Sequence, residues 1–588
     1  MPLLQAAVIG LAALIIAPGS LFYFDVTPKL LVLLLGAAAC AVFWNRGQPA
    51  VSFSAVLLAS AVWLGVASAL STNPGLSIFG STWRRFGTVA QVAVLVLTWL
   101  IAQNSQRGRT IVLRGISAAC AIAAIYGIAQ YLGFDPWLPK SGYHIGEGKW
   151  TIVRPPGTMG YVSYFATLLL VGGFLSLALA RAEARTGLRR LAYAGGALCF
   201  AAMALTGTRA ALLGFAAGAV SAAFLGELRV SRRMVLAAAL VGIAGTAFYF
   251  SPFGWNLRSR ARWFREDPWG GARMLLWRDS FYMAVKRPLV GFGLEVFTGT
   301  FPQFESRELA RAYPDFAHES PHNIFLDAFV SEGLPGLACL MAVCGMGLLA
   351  VRRTRKPWLG AALVAGIVAQ QFTAFTIPTA LLFYAVIALS VARDTVPEAA
   401  RLASWARVPA TAVAGVMVYL ALRYATADHS LELTRQQLAS GDLAKAQVCY
   451  RHYQRARLPG ASADLWYARS LLALSQTGEP PRRLQALWMA KDAALQAAQS
   501  AEDPFDAWYT FAEINAAEND AANTEAGLRR AIAANPAWFK PHWTLAQLLR
   551  LRGRASEAVA EAAVAADLDG GKHPEVAQTL AQIRALHR

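Results

Sequence analysis

The stretch GYVSYFATLLLVGGFLSLALA, residues 160–180, contains no Asp, Glu, Lys or Arg. An α-helix of about 20 apolar residues is long enough to cross the hydrocarbon core of a bilayer. The whole chain shares this character, because its 588 residues are 56% hydrophobic and only 15% charged. Soluble proteins carry about a quarter charged residues. The composition therefore excludes an ordinary soluble enzyme and predicts a polytopic membrane protein.

Similar apolar stretches recur up to residue 424, separated mostly by short loops. We predict thirteen spans, at residues 3–18, 29–44, 51–70, 88–102, 110–132, 160–180, 191–207, 210–226, 234–250, 323–351, 359–376, 378–392 and 408–424. The expected fold class is all-α, with a polytopic bundle of transmembrane helices in residues 1–425. Residues 251–321 form a long loop in this domain, and loops of that length are usually functional.

Lys and Arg are concentrated in alternate loops. Six short loops hold seventeen basic residues: Arg46, Arg107, Arg109, Arg181, Arg185, Arg189, Arg190, Arg229, Arg232, Arg233, Arg352, Arg353, Arg355, Lys356, Arg393, Arg401 and Arg407. Positive charge is retained on the cytoplasmic side of a membrane, so these loops and the N-terminus are expected to be cytoplasmic. The net charge of +19 then reflects topology, and no nucleic-acid partner is expected.

The composition becomes alanine-rich and charged after residue 425, and a 34-residue period appears. Three positions recur with it, Trp508, Ala512 and Ala531 as His542, Ala546 and Ala565. This spacing resembles tetratricopeptide repeats, in which paired helices stack into a solenoid. We predict that residues 426–588 form a soluble α-solenoid. An odd number of spans places it in the periplasm, where it would serve an envelope protein partner.

Several cations break the charge rule and lie near the opposite, outer face: Arg84, Arg85, Arg154, Arg209, Arg273 and the ionisable His322. Their placement indicates an anionic substrate handled at the outer leaflet. Guanidinium groups bind phosphate in a bidentate manner and stay protonated. An imidazole, with an ordinary pKa of about 6.5, suits a general base at neutral pH.

The motifs around these residues occur in a fixed order. They are Gly80-Ser-Thr-Trp-Arg-Arg-Phe-Gly87, Arg154-Pro-Pro-Gly-Thr-Met-Gly160, Leu205-Thr-Gly-Thr-Arg-Ala210, Gly271-Ala-Arg-Met-Leu-Leu-Trp277, Arg287-Pro-Leu-Val-Gly-Phe-Gly293, Ser320-Pro-His-Asn-Ile-Phe-Leu326 and Ser331-Glu-Gly-Leu-Pro-Gly-Leu337. Over residues 50–390 this set resembles the O-antigen ligase/polymerase superfamily of bacterial membrane glycosyltransferases. One difference is that Tyr161-Val-Ser-Tyr164 follows Gly160, where many relatives carry an Asn-Pro-Asn-like segment.

The resemblance implies a GT-C-like inner-membrane enzyme without a metal or cofactor. It would transfer a glycan from undecaprenyl pyrophosphate to an acceptor hydroxyl in the periplasm, with inversion. Lipid A–core oligosaccharide is the expected acceptor. By resemblance, Arg209 and Arg273 hold the pyrophosphate and His322 is the general base. Further substrate-binding candidates are Arg84, Arg85, Arg154, Asn323 and Trp277.

Other interpretations remain open. The acceptor could be another lipid-linked repeat, as in a polymerase, or a protein, as in an O-oligosaccharyltransferase; a lipid-linked glycan flippase and a scaffold are different classes. Arg209 could cap a helix, Arg273 could be a surface charge, and His322 could be an N-cap. His318 and His322 have a spacing seen in zinc sites, but Pro321 interrupts any helix between them and no third ligand is evident.

Overall fold

The computed structural model describes residues 1–44, 51–145, 152–226, 232–266, 271–392, 407–477 and 479–587. These parts are helical apart from loops and one antiparallel ribbon of β1 (His144–Ile145) and β2 (Ile152–Val153). The prediction of an all-α fold is therefore confirmed. Four residues of the predicted cytoplasmic loops, Arg46, Arg229, Arg393 and Arg401, lie outside the described residues.

The first 392 residues contain the helices α1 (Pro2–Leu14), α2 (Thr27–Val42), α3 (Val51–Ala69), α4 (Pro74–Phe79), α5 (Thr88–Ile101), α6 (Gln106–Tyr131), α7 (Val162–Ala182), α8 (Thr186–Leu205), α9 (Arg209–Phe224), α10 (Arg232–Phe250), α11 (Trp255–Glu266), α12 (Arg273–Ala284), α13 (Phe297–Thr300), α14 (Arg307–Ala312), α15 (Ile324–Thr354), α16 (Pro357–Ala369) and α17 (Ile377–Val391). Each predicted span up to residue 392 overlaps one of these helices. The shorter helices α4 and α11 to α14 lie in two loops that the charge pattern predicts to be outer, residues 71–87 and 251–321.

Six helical stretches in the described parts are long and apolar enough to cross a membrane by length and composition. They are Val51–Ala69, Gln106–Tyr131, Val162–Ala182, Thr186–Leu205, Ile324–Thr354 and Ala410–Ser440. Six other predicted spans correspond to shorter apolar helices, and the span at 234–250 corresponds to α10, which has 19 residues. The chain thus has the helices of a membrane protein, and the number of crossings stays a prediction.

Helix α15 contains a break in its backbone at Gly333, where φ is 71°. A Cβ at this position would lie 2.4 Å from a carbonyl oxygen of the preceding outer loop, so only glycine fits. The carbonyls of Val330 and Ser331, on the N-terminal side of the break, accept hydrogen bonds from the backbone of Phe292 and Gly293, both at 2.9 Å. The two glycine-containing motifs noted in the sequence are therefore packed against each other, backbone to backbone.

The C-terminal part consists of α18 (Arg407–Ser440), α19 (Leu443–Ala456), α20 (Asp464–Ser475), α21 (Pro480–Ser500), α22 (Pro504–Ala517), α23 (Ala521–Ala534), α24 (Phe539–Leu551), α25 (Ala555–Asp569) and α26 (Pro574–His587). Consecutive helices pack against each other, and α19 meets α20 through the stacked rings of Tyr450 and Tyr467. The recurring alanines of the 34-residue period, Ala512, Ala531, Ala546 and Ala565, are all buried. Small side chains at these positions allow close helix packing, and the assignment to tetratricopeptide repeats stays a prediction.

Helix α18 runs across residue 425, so the predicted domain boundary lies inside a helix. The C-terminal helices contact the loops that were predicted to be outer. Glu502 accepts a hydrogen bond from the backbone of Thr82 at 2.8 Å, and Asp567 forms an ion pair with Arg307 at 3.1 Å. The C-terminal helices therefore lie on the same side of the bundle as these loops.

Candidate active site

His322 lies in the loop between α14 and α15, with a backbone φ of 51° that is uncommon for a residue other than glycine. The hydroxyl of Ser320 is 3.2 Å from its Nδ1 and accepts its backbone N–H at 3.3 Å. The indole of Trp277 donates to the carbonyl of Pro321 at 3.1 Å. These contacts fix the loop on the N-terminal side of His322. Asn323 fixes it on the C-terminal side.

Asn323 is the N-cap of α15, because its Oδ1 accepts the backbone N–H groups of Phe325 and Leu326, both at 3.1 Å. The Asn323→Ala variant should lose about 1 kcal/mol of stability, since a helix loses its side-chain cap. The measurement is the apparent Tm of the purified protein in detergent. Asn323→Asp is the matched control, because it retains the cap and should keep the Tm. Equal Tm values for all three proteins would contradict the capping role.

Arg154, Arg209 and Arg273 line one cavity of about 310 Å³ together with His322. Arg154 follows strand β2, whereas Arg209 and Arg273 are the first residues of α9 and α12. Three separate segments of the chain thus bring guanidinium groups to one place. The N-terminal ends of two helices add partial positive charge there. Among the described residues that line this cavity, none is acidic.

The three arginines repel one another. Burial lowers the pKa of Arg273, and the neighbouring charges of Arg209 and Arg154 lower it further. Burial also lowers the pKa of Arg154. A bound anion would relieve this repulsion, because opposite charge stabilises the protonated guanidinium. The arrangement therefore suits a ligand with more than one negative charge, such as a pyrophosphate.

A second cavity of about 490 Å³ lies on the other side of His322. It shares His322, Tyr161 and Phe316 with the arginine cavity. Its other polar lining residues are Asp25, Lys29, Arg84, Tyr164, Asp315, Glu319 and Thr376, and Trp83 also lines it. The two cavities differ in charge, because the second is lined by the carboxylates of Asp25, Asp315 and Glu319. His322 thus borders both a cationic cavity and one of mixed charge.

Burial lowers the pKa of His322 to about 4, and the charges of Arg273, His318 and Arg84 act in the same direction. The imidazole is therefore neutral at neutral pH and can accept a proton. The sequence suggested an ordinary histidine pKa, and the structure differs because the ring is enclosed next to cations. A lower pKa makes the neutral base available over a wider pH range but makes it a weaker base.

Arg84 and Arg85 occupy different surroundings. Arg84 is buried and forms ion pairs with Glu295 at 2.6 Å and Asp327 at 3.1 Å. Although burial opposes its charge, these carboxylates raise the pKa of Arg84. The guanidinium of Arg85 lies over the rings of Tyr23 and Tyr424, 5.3 and 5.2 Å from their centroids. Arg84 therefore reaches the second cavity as a paired charge, and Arg85 lies where α18 meets the outer loops.

His318 lines the arginine cavity beside His322, with its Nε2 3.8 Å from Glu305. Burial lowers the pKa of His318 to about 4 and raises that of Glu305 to about 8. Both groups are therefore largely neutral at neutral pH. Across the parts of the chain that the structure describes, no group of three or more His, Cys, Asp or Glu side chains is placed to hold a metal ion.

The sequence did not single out Tyr161, Asp25, Lys29 or Glu319 as site residues. Tyr161 lies where the chain departs from the Asn-Pro-Asn-like segment of its expected relatives, and it lines both cavities. The signal in the sequence was that Asp25 and Lys29 are charged residues among apolar ones, between α1 and α2 and in the first turn of α2. Their proximity to His322 depends on packing between distant segments, which no local pattern reveals.

Residues 194–341 match the family model described as O-Antigen ligase. The matched region includes Arg209, Arg273 and His322, whereas Arg84 and Arg154 lie before it. No curated protein matches the chain at a significant level. Members of the matched family are glycosyltransferase-like enzymes. The match supports the O-antigen ligase superfamily for this membrane protein.

Proposed function

We propose that the chain transfers a glycan from an undecaprenyl-pyrophosphate carrier to an acceptor hydroxyl, with lipid A–core oligosaccharide as the acceptor. The observation that carries the proposal is the cavity in which Arg154, Arg209 and Arg273 meet His322. A diphosphate needs several cations, and a sugar hydroxyl needs a base. Both requirements are met at one point of the structure.

In the proposed reaction the acceptor oxygen attacks the anomeric carbon of the donor sugar. The bond between that carbon and the pyrophosphate oxygen breaks, and the bonding electrons leave with the carrier pyrophosphate. His322 takes the hydroxyl proton at Nε2, while its Nδ1–H donates to the Ser320 hydroxyl, 3.2 Å away. Attack from the face opposite the leaving group inverts the configuration of the anomeric carbon.

The arginines stabilise the charge that develops on the leaving pyrophosphate. Fixed donors of this kind are effective because they are already oriented when the charge appears. In this mechanism Arg209 and Arg273 hold the pyrophosphate, with Arg154 as a third contact. Arg84, paired with Glu295 and Asp327, positions the second cavity. Asn323 and Trp277 hold the loop that carries His322.

The two cavities suggest separate places for the substrates. The cationic cavity would take the donor pyrophosphate. The second cavity, with Asp25, Lys29 and Trp83 on its walls, offers hydrogen-bonding groups and an aromatic face to the acceptor glycan. Because His322 borders both, the acceptor hydroxyl and the anomeric carbon would meet beside its ring.

We further propose that the protein is a multi-pass protein of the bacterial inner membrane, with a cytoplasmic N-terminus and a periplasmic site. Residues 1–425 would be the membrane domain and residues 426–588 a periplasmic helical domain. The positions of Arg181, Arg355 and Lys356 support this orientation, because they line a cavity at the opposite helix ends from the arginine cavity. The C-terminal helices, beside the outer loops, would recruit an acceptor or an envelope protein.

The test is a transfer assay with the purified full-length protein in liposomes. The donor is an undecaprenyl-pyrophosphate-linked glycan, and separate reactions contain lipid A–core, a second copy of the lipid-linked glycan or an acceptor protein. We expect a new glycosidic bond on lipid A–core without any ion gradient. A product only with the second lipid-linked glycan would identify a polymerase. Movement of the donor between leaflets without any new bond would refute the proposed transfer.

The pH dependence should follow the neutral form of His322. Because its pKa is lowered to about 4, kcat/KM should be flat near neutral pH and fall as the pH drops through about 4. The pKa seen in kcat should be higher, since the bound pyrophosphate neutralises the nearby arginines and favours the imidazolium. The measurement is the initial rate between pH 3.5 and 8 at low and saturating donor concentrations. A midpoint of kcat/KM near the ordinary histidine value of about 6.5 would contradict this assignment.

A further inference from the structure

A further cavity, basic in character and of about 260 Å³, lies at the opposite helix ends from the candidate active site. It is lined by the start of α6, the end of α7, the turn between α15 and α16, and the end of α17. Its basic residues are Arg109, Arg181, Arg355 and Lys356. We propose that this cavity binds the phosphodiester headgroup of an anionic phospholipid.

The charge of the cavity favours a phosphate group. Four cationic side chains line it, and none of its described lining residues is acidic. Helix α16 begins at this point, directly after Lys356. The N–H groups and the dipole of that helix end therefore add to the attraction for an anion. Basic pockets between helices at a membrane surface are typical headgroup sites.

The other wall of the cavity is apolar, and this feature selects a lipid over a free phosphate. Leu113, Leu359 and Leu389 line the cavity, and Trp358 lines it as well. Tryptophan is enriched at the level of lipid headgroups, where its ring is apolar and its N–H is polar. A glycerophospholipid has both parts that this lining requires, an anionic phosphate and acyl chains that start next to it.

The distance along α7 places the cavity at the other membrane surface. This helix has 21 residues and is therefore about 30 Å long, which is about the thickness of the hydrocarbon core. It begins next to Tyr161 of the arginine cavity and ends at the cavity that contains Arg181 and Ala182. The lipid site and the candidate active site are thus separated by one bilayer core. A lipid bound here would not compete with the donor.

The experiment uses the purified full-length protein in a neutral detergent, with its apparent Tm followed as phosphatidylglycerol is added. The wild-type Tm should rise with lipid concentration, and phosphatidylcholine should have little effect. The double variant Arg181→Ala/Arg355→Asn should bind phosphatidylglycerol about 10- to 30-fold more weakly, since each basic residue contributes about 1 kcal/mol near an anionic headgroup. Asparagine is chosen at 355 because the backbone there is left-handed, with φ at 47°.

Arg352→Ala/Arg353→Ala is the matched control. It also removes two exposed positive charges from the end of α15, but from residues that do not line the cavity. Wild-type affinity in this control and weakened affinity in the Arg181/Arg355 variant would support the site. Equally weakened phosphatidylglycerol binding in both double variants would show that the lipid responds only to general surface charge, and it would overturn the proposal. A Tm increase of the same size with glycerol phosphate alone would overturn the assignment to a lipid.

Discussion

Replacing His322 with alanine should lower kcat by about 10²- to 10⁴-fold, which is the usual contribution of a positioned general base. The acceptor hydroxyl would then lose its proton to water, since His318, the other imidazole of the arginine cavity, does not line the second cavity in which the acceptor is proposed to bind. KM for the donor should change little, because the arginines remain. Initial rates with saturating lipid-linked donor and lipid A–core measure the effect.

The control for this variant is His318→Ala, which removes the other imidazole of the arginine cavity. If His322 is the base, His318→Ala should retain most of the wild-type kcat. A Ser320→Ala variant tests the tautomer, because the Ser320 hydroxyl is the described partner of Nδ1. It should lower kcat less than His322→Ala. Wild-type activity of His322→Ala, in protein with a wild-type Tm, would refute the proposed mechanism.

The helices could be predicted from the sequence because the signal is local. A run of apolar residues such as 160–180 needs no partner to be recognised, and α7 spans Val162–Ala182. The caps are similarly local: Asn323 comes immediately before α15, and its side chain caps it. From the sequence, His322 was an alternative N-cap, whereas in the structure the N-cap is the next residue, Asn323.

The charges around the site could not be predicted in the same way. Arg84 is a substrate-binding candidate from the sequence, but its ion pairs with Glu295 and Asp327, more than 200 positions along the chain, could not be predicted. The lowered pKa of His322 depends on burial and on Arg273, and both come from tertiary packing. A sequence reports that a cation is present near a membrane surface. It does not report which cations are already paired with a carboxylate.

The motif glycines illustrate the same limit. The Arg287–Gly293 motif was part of the expected family resemblance, and its physical role became clear only from the break in α15. The backbone of Phe292 and Gly293 supplies hydrogen bonds to carbonyls beside the break at Gly333. These residues shape the helix that begins two positions after His322. Their effect on the site is therefore one of positioning.

Arg273→Ala should lower kcat/KM by about 10²- to 10³-fold, the loss seen when one preorganised donor to a developing negative charge is removed. Arg273 is the first residue of α12 and lines the cavity with Arg154 and Arg209. Removing Arg273 also relieves its repulsion with Arg154 and Arg209, so the folded protein should lose little stability. The decrease should therefore appear in the rate more than in the Tm.

Arg278→Ala is the matched control, because Arg278 lies on the same helix but is half-exposed and pairs with Glu308. It should keep kcat/KM within a few-fold of the wild type. Arg273→Lys should recover only part of the loss, since an ammonium keeps the charge but cannot form the bidentate contact of a guanidinium. Inhibition by undecaprenyl pyrophosphate provides a second readout. Its inhibition constant should rise in Arg273→Ala and stay unchanged in Arg278→Ala, whereas equal inhibition of both variants would place the pyrophosphate elsewhere.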